Sequence, residues 1–423
     1  MKYKEYKRDS YNLYTIKTDK FRTCEIEIVF RQKLSKEKIT INNLLIDCLT
    51  YTSKKYPKRK DVVIALEELY SANILGITSR VGNALFSNII LEFLDPKYCD
   101  KDYLDNILAF PFEMLFNPNI KDNEFDLHTF NCMKNRNRAD IKSTKDIPSM
   151  YAIKRALINM DNTSPTSFMT TGYLEDLEEI TSEDLYNAYK DLLNKAICDI
   201  YVIGNLDMDY VDKKISKLFT NRYIKELDID YFVSNKNRHK VIDVEEKGNY
   251  EQANLVMIYN TTKLTDKEKN YTIHLFNYIF GSGSLTTKLY KYLREENSLC
   301  YNTYSLYQKL DNLLIIFVGI DYQNKKQCVK LVNKALKEMV NGKFTEEEIN
   351  YAKNSLITST EAIMDNASSL LDNYVFHNVV GTPLLAERRK ELNKVTKAEI
   401  VAVAKKIKLN TVYILGGQTD EKN

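Results

Sequence analysis

"ITSEDLYNAYKDLLNKAICDIYVIGNL" (Ile180–Leu206) and "VTKAEIVAVAKKIKLNTVYILGG" (Val395–Gly417) are the two stretches on which the fold turns. Each reads as a threonine cap, an amphipathic helix and a buried strand that ends at glycine. The threonines stand 215 positions apart (181 and 396) and the glycines 212 (204 and 416). A nearly constant offset predicts tandem duplication of an α+β unit.

Working outward, the order of elements restarts after a polar, weakly patterned stretch at Asn221 to Arg238. Before it, "TCEIEIVF" (Thr23–Phe30) alternates as a half-buried strand, with Cys24, Ile26, Ile28 and Phe30 inward and Glu25 and Glu27 outward. "KDVVIALEELYSANI" predicts an amphipathic helix through Val62, Leu66, Leu69 and Tyr70. "ILGITSRVGNALFSNIILEFL" predicts two strands turning at Gly82-Asn83. Helical patterns fill most of 102–193. After the connector come strands "HKVIDVEE" and "QANLVMIYN", helices over 266–296, strands "CYNTYSLYQKL" and "NLLIIFVGID", and further long helices. The expected architecture is α+β: two tandem homologous domains, each an antiparallel-rich mixed sheet packed with long helices. Their expected ranges are 1–220 and 239–423, joined by a linker at 221–238.

The 423 residues exceed what one ordinary core organises. With 61 basic against 58 acidic residues the charge is near neutral, and no run of like charge suggests a nucleic-acid arm or a membrane-surface helix. "KNRNRADIK" (Lys134–Lys142) reads as a solvated helix face. Seven scattered cysteines without C-x-x-C spacing argue against a disulfide framework and for a reducing compartment. No secretory h-region and no apolar run of roughly 20 residues is visible. The expectation is a cytoplasmic protein that binds neither nucleic acid nor membrane.

"FGSGSLTTKLYKYLREENSLCYNTYS" (Phe280–Ser305) poses the functional question. It is not a phosphate loop: Lys288 lies five residues past Gly283, and Thr286 stands where the third glycine of G-x-G-x-x-G belongs. No G-x-S-x-G is present. The four histidines (128, 239, 274, 377) are too far apart for a helical zinc motif; His128 and His274 read as packing or surface residues. What remains is Arg294, near the end of a helix whose Leu285, Leu289 and Leu293 pack on one side, and Tyr301, on the strand that follows. On that strand Cys300, Asn302, Tyr304 and Leu306 are expected on one face, and Tyr301, Thr303, Ser305 and Tyr307 on the other. A guanidinium and a phenol so placed can converge on one carbonyl oxygen. On spacing alone, an arginine at a helix end is read first as a salt-bridge or dipole partner.

These residues resemble the second-domain signature of the pitrilysin/insulinase (inverzincin) family of zinc peptidases. There a glycine-rich turn leads to a helix ending V-R-E-K and a strand beginning A-Y, with an Arg and a Tyr seven residues apart that contact substrate. The resemblance assigns those catalytic roles to Arg294 and Tyr301. "NNLLIDCLTYTSKKYPKRKDVVIALEELYSANI" (Asn42–Ile74) resembles the segment that in the family carries H-x-x-E-H before K-K-Y-P. Anchored on Tyr56-Pro57, the two histidines and the glutamate are replaced by Asn43, Asp47 and Ile46. The distal glutamate falls near Met133 in "FNCMKNRNR". Neutral, apolar and single-carboxylate side chains cannot build a three-ligand zinc site with its general base.

Chains of the family with Arg/Tyr and without zinc ligands resemble partner subunits of two-gene bacterial peptidases, and Leu69–Ala72 resembles their L-Y-G-A with Ser71 for glycine. The resemblance therefore implies one clamshell half, binding no cofactor itself. Its partner would be an H-x-x-E-H subunit carrying Zn²⁺, and the pair would act on peptides such as a leader peptide. The alternative is a non-catalytic scaffold or peptide-binding subunit.

Overall fold

The structure is a computed structural model that describes residues 1–219, 227–235, 239–248, 250–283 and 285–416. It is α+β, as expected, and its residues group by contact into two units.

In the first unit the strands of the main sheet are β1 (Lys2–Lys7), β2 (Asn12–Lys17), β3 (Thr23–Lys33), β4 (Asn73–Val81), β5 (Ala84–Leu94) and β6 (Ile197–Gly204). They form one sheet in the order β1-β2-β6-β3-β5-β4, antiparallel except for β2 beside β6. In the second unit β7 (Ile242–Glu246), β8 (Ala253–Asn260), β9 (Cys300–Gln308), β10 (Leu313–Ile320) and β11 (Lys408–Leu415) order as β9-β10-β8-β11-β7. Here too one pairing is parallel, β11 with β7. Read from opposite ends, β2-β6-β3-β5-β4 and β7-β11-β8-β10-β9 are the same topology, as duplication demands.

The two quoted stretches repeat in detail. Thr181 and Thr396 accept hydrogen bonds from the Asp184 and Glu399 amides (3.1 and 3.3 Å), and both acid side chains accept one in turn from the threonine N–H, closing matched capping boxes. Gly204 and Gly416 end their strands at φ 147° and 136°. A Cβ at Gly204 would lie 2.3 Å from Cys24 Sγ on β3, and one at Gly416 2.7 Å from Ala253 Cα on β8. Only glycine meets both the dihedral and the clearance.

The contact units are discontinuous where the sequence reading drew continuous ranges. Unit one comprises Met1–Ser143, Met169–Tyr231 and Met364–Phe376; unit two comprises Thr144–Phe168, Phe232–Ile363 and His377–Asn423. Of the expected linker, 221–226 and 236–238 lie outside the described residues. Its remainder is split: the Tyr231 carbonyl accepts from Asn83 N–H in the first unit, and Val233 N–H donates to Leu310 in the second.

The exchanged segments are helices, and each covers a sheet face that alternation had left open. Helix Pro148–Met160 buries Ala152, Ala156 and Met160 against Val256, Ile258, Ile315 and Phe317 of the second sheet. The first turns of helix Ala367–Val380 cover the first sheet: Tyr3 stacks on Tyr374, and Ser368 Oγ donates to the Glu25 carboxylate. Glu25 and Glu27, expected outward, are therefore buried at 3% and 2% exposure, and β3 is buried on both faces. Burial pushes the Glu25 carboxyl up to about 7 and that of Glu27 up to about 8, with nearby Asp372 adding like charge.

One other expectation shifts. Helix Arg59–Glu68 stops before Tyr70, because Tyr70 and Ser71 take left-handed φ of 60° and 58°. Gly82, at φ 58°, turns β4 into β5 as expected.

Candidate functional site

In the first unit Asn43, Ile46, Asp47 and Met133, the four positions compared with zinc ligands above, sit on two packed helices, α1 (Lys36–Leu49) and α2 (Leu127–Ser143). Asp47 accepts a 2.6 Å hydrogen bond from Asn137 Nδ2, which also donates to the carbonyl of Met133 (3.1 Å). Burial raises the Asp47 carboxyl above its ordinary value, and the Asn137 bond offsets part of that. Asn43, one turn earlier, donates to the carbonyls of Ile39 (3.1 Å) and Thr170 (2.8 Å). Ile46 is buried under β4, so close that a Cβ at Gly76 would stand 2.5 Å from its Cγ2. Met133 is buried in the same core.

Among the described residues no three His, Cys, Asp or Glu side chains converge as a metal site. Asn137 was missed by the sequence reading. Its signal was its place one helical turn after Met133, on the same face.

In the second unit Thr287 caps the helix of residues 288–295, its hydroxyl accepting from Tyr290 N–H at 3.2 Å. Leu289 and Leu293 are fully buried, while Leu285 lies before the cap and is 61% exposed, so it does not share their packing. The last turn widens to π-type, with Glu296 N–H donating to Lys291, and Ser298 at φ 52° reverses the chain into β9. β9 is an edge strand and begins with a bulge: Cys300 pairs with Ile320, but Thr303 pairs with Val318. Tyr301 and Asn302 together oppose Gly319.

The extra residue switches faces. Cys300, Ser305 and Tyr307 turn to the main core of this unit, and Tyr304 to the face under Pro148–Met160, contrary to simple alternation. Bulges re-aim side chains at sheet edges. Here Tyr301 is thrown outward to 82% exposure. Arg294 reaches back to it: Nη1 donates to the Tyr301 carbonyl at 3.0 Å, and the guanidinium lies 5.3 Å from the Tyr290 ring centroid. The pair forms one patch, with the arginine held at two points and the phenol directed to solvent.

A glycine-rich approach to a bulged Arg/Tyr edge, and two sheets of one topology within a single chain, define the class as an α+β protein built from two copies of one unit. Comparison with known proteins agrees. The peptidase M16 inactive domain family matches residues 179–356. The probable inactive metalloprotease YmfF of Bacillus subtilis (strain 168) is 27% identical over 413 residues, spanning 96% of this chain and 95% of that protein. The non-peptidase homolog YmxG of Helicobacter pylori is 22% identical over 337 residues, 76% of this chain and 72% of that one.

Among solved structures, a conserved protein from Enterococcus faecalis V583 superposes with TM-score 0.92 at 27% identity, covering 99% of this chain and 100% of that one. The peptidase M16 inactive domain from Pseudomonas fluorescens shares the fold at TM-score 0.81 and 15% identity, covering 100% and 99%. The chain is thus similar to the peptidase M16 inactive domain over residues 179–356, and to YmfF and the Enterococcus protein along nearly its whole length. No described helix is long and apolar enough to cross a membrane.

Proposed function

We propose that this chain is the metal-free subunit of a heterodimeric zinc metallopeptidase acting on peptides in the cytoplasm. An H-x-x-E-H partner would supply Zn²⁺, its bound water and the glutamate base. Arg294 and Tyr301 would complete that site, orienting the scissile carbonyl and donating to the oxyanion. Loss of one such donor typically costs roughly 100- to 1,000-fold in rate. A peptide would add as a strand to β4, an edge of the first sheet with Leu75 and Ile77 exposed.

The observation that carries this reading is the phenol of Tyr301. Arg294 has a structural task, tying its helix to β9. The Tyr301 side chain has none: it is 82% exposed, and its hydroxyl bonds to no described residue. An aromatic ring thrown outward by a bulge at a sheet edge fits a group kept for contact with something else.

A second reading, a non-catalytic scaffold or peptide-binding subunit, is favoured by the names of the two relatives and by the structural use of Arg294. A reconstituted assay separates the two. Quenched-peptide hydrolysis is measured for this chain alone, for an H-x-x-E-H partner alone, for the mixture, and for mixtures with Arg294→Ala or Tyr301→Phe. The shared-site reading expects activity only in the mixture, and at least a tenfold fall with Tyr301→Phe while assembly persists. Full activity with Tyr301→Phe refutes it and leaves the scaffold.

A further inference from the structure

The second unit contains a cavity of about 270 Å³ that neither the Arg294–Tyr301 edge nor the α1–α2 pair uses. His274, Asn270, Lys309, Arg388, Thr360 and Leu392 contribute to its wall. They come from different elements: His274 from helix Ile273–Asn277, Lys309 from the turn after β9, and Arg388 from helix Leu385–Lys394.

Basic groups in a confined space normally face carboxylates. Here Arg388 donates from Nη2 to the Pro383 carbonyl (3.2 Å), and among the described residues neither Arg388 nor Lys309 has a carboxylate within 4.0 Å. Glu387, the acid next to Arg388 in sequence, accepts instead from the Tyr271 hydroxyl (2.9 Å). Asp266 acts on Lys309 only from farther away. Burial lowers the proton affinity of both cations, and for Lys309 the charge of Arg388 lowers it further. Burial first, and then the same two neighbours, push His274 down to about 4, so the imidazole is neutral at pH 7. The cavity thus holds two fixed positive charges and one neutral ring, whose edge stands against Tyr307 at 5.5 Å. Asn270 Oδ1, also at the wall, is buried without a hydrogen-bond donor.

Partly buried cations without counter-ions are costly, and an anion removes that cost. Two charges call for a dianion. The flat guanidinium fork matches two oxygens of a tetrahedral oxyanion, and the ammonium adds a point charge. The unmatched acceptor Asn270 calls for a donor on the same ligand. Hydrogen phosphate has both a double charge and one P–OH.

We propose that this cavity is a binding site for hydrogen phosphate, with Arg388 and Lys309 as charge partners and Asn270 as acceptor of the P–OH.

The test is calorimetric titration of the full chain with sodium phosphate in chloride buffer of constant ionic strength at pH 7.5. Sulfate and a phosphate monoester are titrated in parallel, and thermal unfolding is followed with and without phosphate. One phosphate per chain is expected, bound at least about tenfold more weakly by Arg388→Met and by Lys309→Met. Sulfate, a dianion without a donor, should also bind more weakly than phosphate. In chloride both variants should melt at or above the wild-type temperature, because each loses an uncompensated charge; phosphate should raise the wild type alone. Tighter binding of the monoester, whose dianion has no P–OH, would keep Arg388 and Lys309 as charge partners for a phosphorylated metabolite or chain but overturn the role given to Asn270. No heat at about 10 mM phosphate, wild-type affinity in both variants, or variants that melt lower in chloride would each overturn the proposal. Equal binding of sulfate and phosphate would overturn the role given to Asn270.

Discussion

Replacing Glu27 with glutamine should stabilise the first unit above pH 5, by an amount that follows from its burial. Glu27 is 2% exposed, and burial raises its carboxyl from an ordinary 4.5 to about 8. At pH 7 the unfolded chain ionises this group while the folded chain keeps it protonated. The folded state binds the extra proton, so stability is full below about pH 4.5 and falls as pH rises toward 8. Holding the proton at pH 7, some 2.5 pH units above 4.5, costs roughly 3 kcal/mol at about 1.4 kcal/mol per unit.

Glutamine matches the neutral form in shape. It keeps an oxygen for the Asn88 amide, which donates to Glu27 at 2.7 Å, and offers a donor to Asn88 Oδ1, which has no partner. Amide exchange along β3, measured at pH 5 and at pH 8 with intrinsic-rate correction, reports the unit directly. Glu27→Gln should match wild type within about 1 kcal/mol at pH 5 and exceed it by roughly 4 kcal/mol at pH 8. Part of the slope remains, because Glu25, raised to about 7, titrates in the same window. If both proteins lose the same stability between pH 5 and pH 8, Glu27 is not a buried neutral acid and the packing of helix Ala367–Val380 on β3 is wrong.

Gly76→Ala should destabilise the first unit by roughly 1–3 kcal/mol in urea unfolding, because its Cβ would stand 2.5 Å from Ile46 Cγ2 and 2.9 Å from the Ile46 carbonyl. Ser71→Gly should raise stability by about 1 kcal/mol by the same measure, since Ser71 sits at φ 58°. Micromolar zinc or EDTA should leave the melting temperature of the isolated chain unchanged, because Asn43, Ile46 and Met133 offer no ligand set and Asp47 is engaged by Asn137.

The duplication was legible because cap, helix and strand recur at one spacing, and Gly204 and Gly416 carry the same steric demand in both halves. The Gly82 turn was legible for the same reason, since it rests on residues adjacent in sequence. The helix exchange was not. Alternation in "TCEIEIVF" says that two faces differ, but not that a helix some 340 residues later will roof the polar one. A buried glutamate looks like an exposed one until its cover is known. The bulge at Tyr301–Asn302 was hidden likewise, since it is a mismatch between two strands and is written in neither alone.

That hidden bulge alters how the Arg/Tyr pair is to be understood. In a regular strand Tyr301 and Tyr307 would share a face, and the phenol would turn toward the core as Tyr307 does. The inserted residue frees Tyr301 from that alternation, while the Arg294 bond to its carbonyl holds the displaced backbone. Arginine and tyrosine are thus coupled mechanically before any chemistry is considered. Losing Arg294 loosens the bulge as well as removing a cation, whereas losing the Tyr301 hydroxyl changes nothing inside the fold. Tyr301→Phe therefore weighs more than Arg294→Ala in deciding what the site does.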